Sequence, residues 1–310
     1  MHDKQTGGGP YAIELRGLTK HFGRRVAIED LSMRVRYGQI QGLAGANGGG
    51  KSTSLRVLCG LLAPDSGTAH VLGYALPSQG ARVRQLVGYL PQRNWLYSAL
   101  SVRENLLFRA AVFGLKSPSR AADLQIHAFG LNAFAGNAVA TLSGGRTRLV
   151  ELAAVLIHQP RVLLLDEPTV GLDPAARQVI WRRLASLAAQ GVAIVLSTHD
   201  LAEAQYCSHL ILLSEGRVKV QGAPHQIPNQ LDASAIIVAG HTSALVMESL
   251  PPGLVLAAYP HGNSLRLVIA RKFLAEIENR LGSLGCLSER ASLTLEDAAF
   301  AVAHRAGGLG

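Results

Sequence analysis

"GLAGANGGGKST", residues 42–53, sets five glycines and one lysine between two apolar stretches. Gly45, four residues, then Gly50, Lys51 and Ser52 meet the phosphate-loop spacing. The run QIQGLAG that enters it has the composition of a buried strand, and STSLRVLCGLL, which leaves it, has helical periodicity. Strand, glycine loop and helix in that order weigh against the plainer reading, a glycine-rich turn beside a lysine. Glycines let main-chain N–H groups point inward with no Cβ in the way, and a helix N-terminus adds partial positive charge. An anion cradle is therefore expected from Gly45, Asn47, Gly48, Gly49, Gly50 and Thr53. Lys51 would reach the β- and γ-phosphates of a nucleotide, and the Ser52 hydroxyl would complete a magnesium shell.

A second station lies in RVLLLDEPTVGLDP, residues 161–174. Asp166 follows four apolar residues, at the carboxyl end of a predicted parallel strand, where open α/β sheets bind ligands. It is placed to hold magnesium, and Glu167 to polarise an attacking water. Adjacent strand residues point to opposite faces, so the chain must bend after Asp166, and Pro168 is placed to impose that bend. An Asp-Glu pair alone is more often a solvated turn. VAIVLSTHD, residues 192–200, brings His199 to the same sheet edge, and VGYLPQ, residues 87–92, ends another apolar run at Gln92. His199 is a candidate contact to a γ-phosphate or the water, and Gln92 to magnesium or the water. Either residue alone reads equally well as structural.

The totals bound the partners. The chain has 310 residues and a formal net charge of +9, which favours an anionic partner: a nucleotide, a nucleic acid or an acidic membrane face. No run of five or more like charges marks a nucleic-acid tail. Apolar stretches are broken by His241, Glu248, Pro251 and Pro252, so no bilayer span is expected. The start, MHDKQTGGGP, reads as a flexible leader without the apolar centre of a secretion signal. Cys59, Cys207 and Cys286 are far apart, which suggests neither disulfides nor a zinc site and suits a reducing cytoplasm.

The expected fold class is α/β. Residues 11–37 alternate as antiparallel strands, and strand, helix and strand around DPAARQVIWRRLASLAAQG imply a parallel core. Asp173 can cap that helix, with Pro174 in its first turn. Residues 95–160 have helical composition. After the predicted hairpin HLILLSEGRVKVQG and the linker APHQIPNQ, the pattern suggests strand, helix, strand, strand, helix, weak strand and helix, a small ferredoxin-like unit. The expected division is a leader over 1–10, a nucleotide-binding domain over 11–225 with a helical subdomain at about 95–160, and an α+β accessory domain over 226–310.

In this order the motifs resemble those of the ATP-binding subunits of ABC transporters. The carrying residues are the phosphate loop, Gln92, the signature-like Leu142-Ser143-Gly144-Gly145-Arg146, Asp166 and Glu167, Gly171-Leu172-Asp173, and His199. The resemblance covers about residues 11–225. It implies a P-loop NTPase core with an antiparallel β subdomain and a helical subdomain, ATP and Mg2+ as cofactors, and ATP hydrolysis. Ser143, Gly144 and Gly145 would open a helix against the nucleotide of a second subunit, with Asp173 nearby, in a homodimer or heterodimer. Phe22 matches a position that stacks on adenine, with a core phenylalanine as the rival reading. An integral membrane permease is the implied partner, docked on the helical insertion where Trp95, Leu96 and Tyr97 lie, and the place is the inner face of the cell membrane. The likeness is greatest to exporters of drugs, lipids or polysaccharides. A soluble ATPase acting on ribosomes or nucleic acid is the alternative, though its usual paired cassettes or long coiled coil are missing. Ala46, Gly49, Arg146 and Leu149 depart from the family's usual residues.

Overall fold

A computed structural model describes residues 9–239, 243–251 and 253–304. Most of the expected leader lies outside the described residues. Strands β1 (Tyr11–Phe22) and β2 (Arg25–Arg36) pair antiparallel, and β2 alternates exposed and buried positions from Asp30 to Arg36. β3 (Ile40–Ala44) is buried throughout and runs into the glycine loop, after which α1 (Lys51–Leu58) begins. The helical pattern extends to Leu62, but a Schellman-type turn stops α1 sooner, with Leu61 N–H bonded to Arg56 O at 3.0 Å and Gly60 N–H to Val57 O at 2.9 Å. β4 (Ser66–Val71) and β5 (Tyr74–Leu76) follow, then α2 (Gly80–Leu86) and β6 (Val87–Leu90).

The helical insertion holds α3 (Val102–Val112), α4 (Pro118–Ala128) and α5 (Gly144–Val155). A capping box between Ser101 and Glu104 starts α3. The chain returns through β7 (Val162–Asp166), α6 (Pro174–Ala189), β8 (Ala193–Thr198), α7 (Leu201–Ala204), β9 (His209–Ser214) and β10 (Arg217–Gly222). The remainder is β11 (Ala233–Ala239), α8 (Ser243–Ser249), β12 (Val255–His261), β13 (Ser264–Ala270), α9 (Leu274–Ser283), β14 (Ser288–Ala291) and α10 (Leu295–His304).

The described strands form three sheets. β2-β1-β4-β5 is antiparallel, and β10-β9-β3-β8-β7-β6 is parallel except for β10. The two faces of the parallel sheet bury alternate residues. Leu43, Leu164 and Val195 pack with α1 and the first sheet, whereas Leu163, Leu165, Ile194 and Leu196 pack with α5 and α6. The last sheet has the order β12-β13-β11-β14, which with its βαββαβ connection is the ferredoxin-like topology expected from the pattern.

A buried ion pair closes this last unit. Both Asp297 oxygens accept from Arg266, at 2.8 and 2.6 Å, and Tyr259 O–H and Thr294 N–H also donate to the carboxylate. Burial pushes the Asp297 carboxyl up, but bonds from Arg266, Tyr259 and Thr294 outweigh it and hold it below its usual range. α10 also reaches the parallel sheet, packing Leu295 and Ala298 with Ala44, Leu210 and Leu212.

At the far side of the parallel sheet, His158 stacks on Phe113 with ring centres 3.7 Å apart, and its Nε2–H donates to Val87 O at 3.3 Å. Burial pulls the imidazole from 6.5 down to about 4, against the Val87 bond and with help from the Arg109 cation. The unfolded chain therefore takes this proton first, and stability is lost as pH falls from about 6.5 toward 4. Urea unfolding of the wild type should lose about 2 kcal/mol from this group between pH 7.5 and pH 5. His158→Phe keeps a stacked ring and should lack that part of the acid loss. An equal loss in both proteins would assign it to other groups.

Candidate active site

Parallel register assembles the site. Ala44 of β3 sits beside Thr198 of β8, Ser197 of β8 beside Asp166 of β7, and Leu165 of β7 beside Leu90 of β6. The glycine loop, His199, the Asp166-Glu167 pair and Gln92 therefore leave one sheet edge side by side. A cavity of about 350 Å3 opens there, lined by Phe22, Arg25, Ala27, Asn47, Gly48, Gly50, Lys51, Ser52, Thr53, Gln92 and Glu167.

The loop needs its glycines for close approach. A Cβ on Gly45, at φ +138°, would overlap Leu213 O, and one on Gly50, at φ +99°, would overlap Ala27 O. A Cβ on Gly45 or Gly49 would meet Leu213 O, so both glycines pack closely against that strand. Lys51 is 5% exposed, and its ammonium donates to Gly45 O at 2.7 Å and Ala46 O at 3.0 Å. Burial pulls its pKa below the ordinary value, while Glu167 and Asp166 act the other way.

Asp166 Oδ1 accepts from Ser52 Oγ at 2.9 Å and from Ser197 Oγ at 2.6 Å. Glu167 is buried, and its Oε2 accepts from Gln92 Nε2 at 3.1 Å while its Oε1 lies 3.1 Å from His199 Nδ1. The expected bend after Asp166 is made by Glu167 itself, whose φ is +48°, rather than by Pro168. Such a conformation costs a β-carbon-bearing residue about 1–2 kcal/mol. It turns the carboxylate toward Gln92 and His199 on the cradle's edge.

Phe22 is 50% exposed at the cavity's rim, so it is not a core residue; Lys20 Nζ lies 5.9 Å from its ring centre. Leu96 is buried in the helical core and Trp95 packs against that core, whereas Tyr97 is exposed in edge-to-face contact with Phe108.

Ser143, Gly144, Gly145 and Asp173 do not line this chain's cavity. They form a separate group. Ser143 is the N-cap of α5, with no side-chain bond to its own helix. Asp173 caps α6 through Ala176 N–H at 2.9 Å, and its Oδ2 lies 4.0 Å from where a Cβ on Gly145 would be. Arg146 is exposed, with its guanidinium 4.2 Å from the Phe134 ring centre, and Leu149 is half-buried against the helical core.

Three participants escaped the motif reading. Ser197 bridges Asp166 and Glu167, and its place at the end of an apolar run, two residues before His199, was the available signal. Arg25 reaches the Gly48 edge of the cradle from the start of β2. Arg148 is 6% exposed and bonded to both strand ends beside the site; an arginine three residues before Glu151 within an apolar helix was its signal.

The family model described as "ABC transporter" matches residues 28–170, and one described as "AAA domain, putative AbiEii toxin, Type IV TA system" matches residues 137–204. "Nod factor export ATP-binding protein I" of Burkholderia orbicola is 40% identical over 242 residues, covering 77% of this chain and 80% of that protein. "Probable multidrug ABC transporter ATP-binding protein YbhF" of Escherichia coli is 38% identical over 234 residues, 74% of this chain; the match spans only 40% of that longer protein. A solved structure described as the ATP binding subunit of an ABC transporter aligns with a TM-score of 0.65 at 31% identity, over 71% of this chain and 92% of that one. The MJ0796 cassette dimer bound to ADP and Pi, 24% identical with a TM-score of 0.63 over 68% of this chain and 98% of that one, shares the fold. A relative 40% identical over 80% of its length, together with the family model over residues 28–170, shows that the chain belongs to the ABC transporter ATP-binding family.

Proposed function

We propose that this chain is the ATP-hydrolysing subunit of an exporter-type ABC transporter, acting on a separate integral membrane permease at the cytoplasmic face of the cell membrane. The observation that carries the reading is the Glu167 carboxylate, lining the phosphate cavity between Gln92 and His199. The relatives' printed names, multidrug and Nod factor export, support the export direction. Among the described residues no helix is long and apolar enough to cross a membrane, which accords with a separate permease. The same reading assigns residues 11–225 to the ATPase domain and 226–310 to an accessory domain.

Main-chain amides of the loop hold the ATP phosphates, Lys51 neutralises the β- and γ-phosphates, and Phe22 stacks on the adenine. Glu167 accepts the proton of the attacking water, while Gln92 and His199 orient that water and the γ-phosphate. Ser143, Gly144 and Gly145 of one subunit close over the nucleotide of another, in a homodimer or heterodimer, because a helix N-terminus favours the anion. Ser52, Asp166 and Gln92 supply hard oxygen donors that fit Mg2+, and Ser52 and Asp166 already touch. Among the described residues no group of three or more His, Cys, Asp or Glu could hold a metal, so magnesium would draw its other ligands from phosphate and water. Bound there, Mg2+ would neutralise charge developing on the phosphate oxygens.

Glu167→Gln should keep ATP affinity, lower steady-state phosphate release by about 100-fold or more, and shift the protein to a dimer on gel filtration with ATP. Turnover at the wild-type rate would remove Glu167 from its role. Lys51→Ala should weaken binding of a fluorescent ATP analogue by about tenfold or more, and unchanged affinity would refute the cradle.

A further inference from the structure

Arg148 has no part in the mechanism above, yet its bonds saturate it. Nε donates to Pro168 O at 3.0 Å, Nη1 to Pro91 O at 3.1 Å and Glu151 Oε2 at 2.8 Å, and Nη2 to Asp166 O at 2.9 Å and Glu167 O at 2.8 Å. A guanidinium has five N–H donors, and all five are engaged. Four of the acceptors are main-chain carbonyls at the ends of β6 and β7. The fifth, Glu151, is 3% exposed and on the same helix, so the buried charge is balanced from α5 itself.

Glu167 holds a left-handed backbone conformation, which persists only where its surroundings over-determine it. Two contacts do so here. Its N–H donates to Ser197 Oγ at 2.9 Å, and its C=O accepts from Arg148, so the peptide units on both sides of its α-carbon are pinned. Pro91 immediately precedes Gln92, the residue that donates to Glu167 Oε2. One side chain thus ties the backbones of the carboxylate and of its orienting amide to α5. α5 begins at Ser143 and Gly144, five and four residues before Arg148, so the guanidinium's anchor lies in the same end of the helix.

We infer that Arg148 is a positioning residue that holds Glu167 and Gln92 in register with the signature helix, so that one chain's Glu167 responds to nucleotide captured by its own Ser143 terminus from the partner subunit. The inference rests on the ATPase reading above. Movement of α5 as a rigid body carries the Pro91, Asp166 and Glu167 carbonyls with it, which links the two ATP sites of a dimer. Lysine can replace this fork only in part, because it offers three donors from one point.

The test uses the full chain with Arg148→Met, Arg148→Lys and Glu151→Gln, reading ATP-analogue affinity, kcat, KM and the Hill coefficient for ATP. Arg148→Met should bind the analogue within about threefold of wild type, lose about thirtyfold or more in kcat, and bring the Hill coefficient to about 1; Arg148→Lys should recover part of kcat. Where the arginine variants fail to fold, as judged by thermal melts, Glu151→Gln decides: it keeps shape and an acceptor, and kcat and the Hill coefficient should both fall with affinity unchanged. Wild-type kcat and cooperativity in the folded variants, or a loss confined to affinity and KM, would overturn the inference. A wild-type Hill coefficient already near 1 would also overturn it. A wild-type protein without turnover would instead overturn the ATPase reading and this inference together.

Discussion

The alignment of four parallel strand ends is the constraint from which the rest follows. β3, β8, β7 and β6 lie side by side with Ala44, Thr198, Asp166 and Leu90 at one edge, where each chain turns outward. Chemistry that depends on contacts near 3 Å is thereby delegated to the register of the sheet's hydrogen-bond ladder. Buried apolar side chains on both faces hold that ladder in place. A one-residue slip of β7 would send Leu163 and Leu165 to the wrong face and withdraw Asp166 from Ser52.

Local chemistry made much of this readable without coordinates. The loop's spacing, the carboxylates behind four apolar residues, and polar residues ending apolar runs at Gln92 and His199 are features that a one-dimensional pattern carries. The βαββαβ unit was legible too, because period-2 and period-3.6 segments alternate cleanly there. β4 escaped: SGTAHV is largely exposed and polar, and it is a strand because β1 offers it an edge. Arg25, Arg148 and Ser197 escaped for a related reason. Glu151 apart, their partners lie 18 or more residues away, and nothing in the spacing encodes which carbonyl or glycine the fold will bring alongside.

The structure also separates three kinds of departure from the family's usual residues. Arg146 remains on the surface over Phe134, whereas Leu149 is half-buried and packs against the helical core. Gly49, backed by Ala46 O and Leu213 O, works as a spacer. Residues that look alike as exceptions in a motif thus belong to surface, core and loop support respectively.

α10 draws the accessory unit into the neighbourhood of the glycine loop. Its Leu295 and Ala298 share a cluster with Ala44, and Gly45, Ala46 and His199 border the groove in which Thr294, Leu295 and Ala299 also lie. Cutting the chain at the proline-marked linker would therefore uncover greasy surface on the reverse of the catalytic loop. A bulkier side chain at position 298 would be felt at the strand that feeds the loop, because Ala298 is fully buried in the same cluster as Ala44.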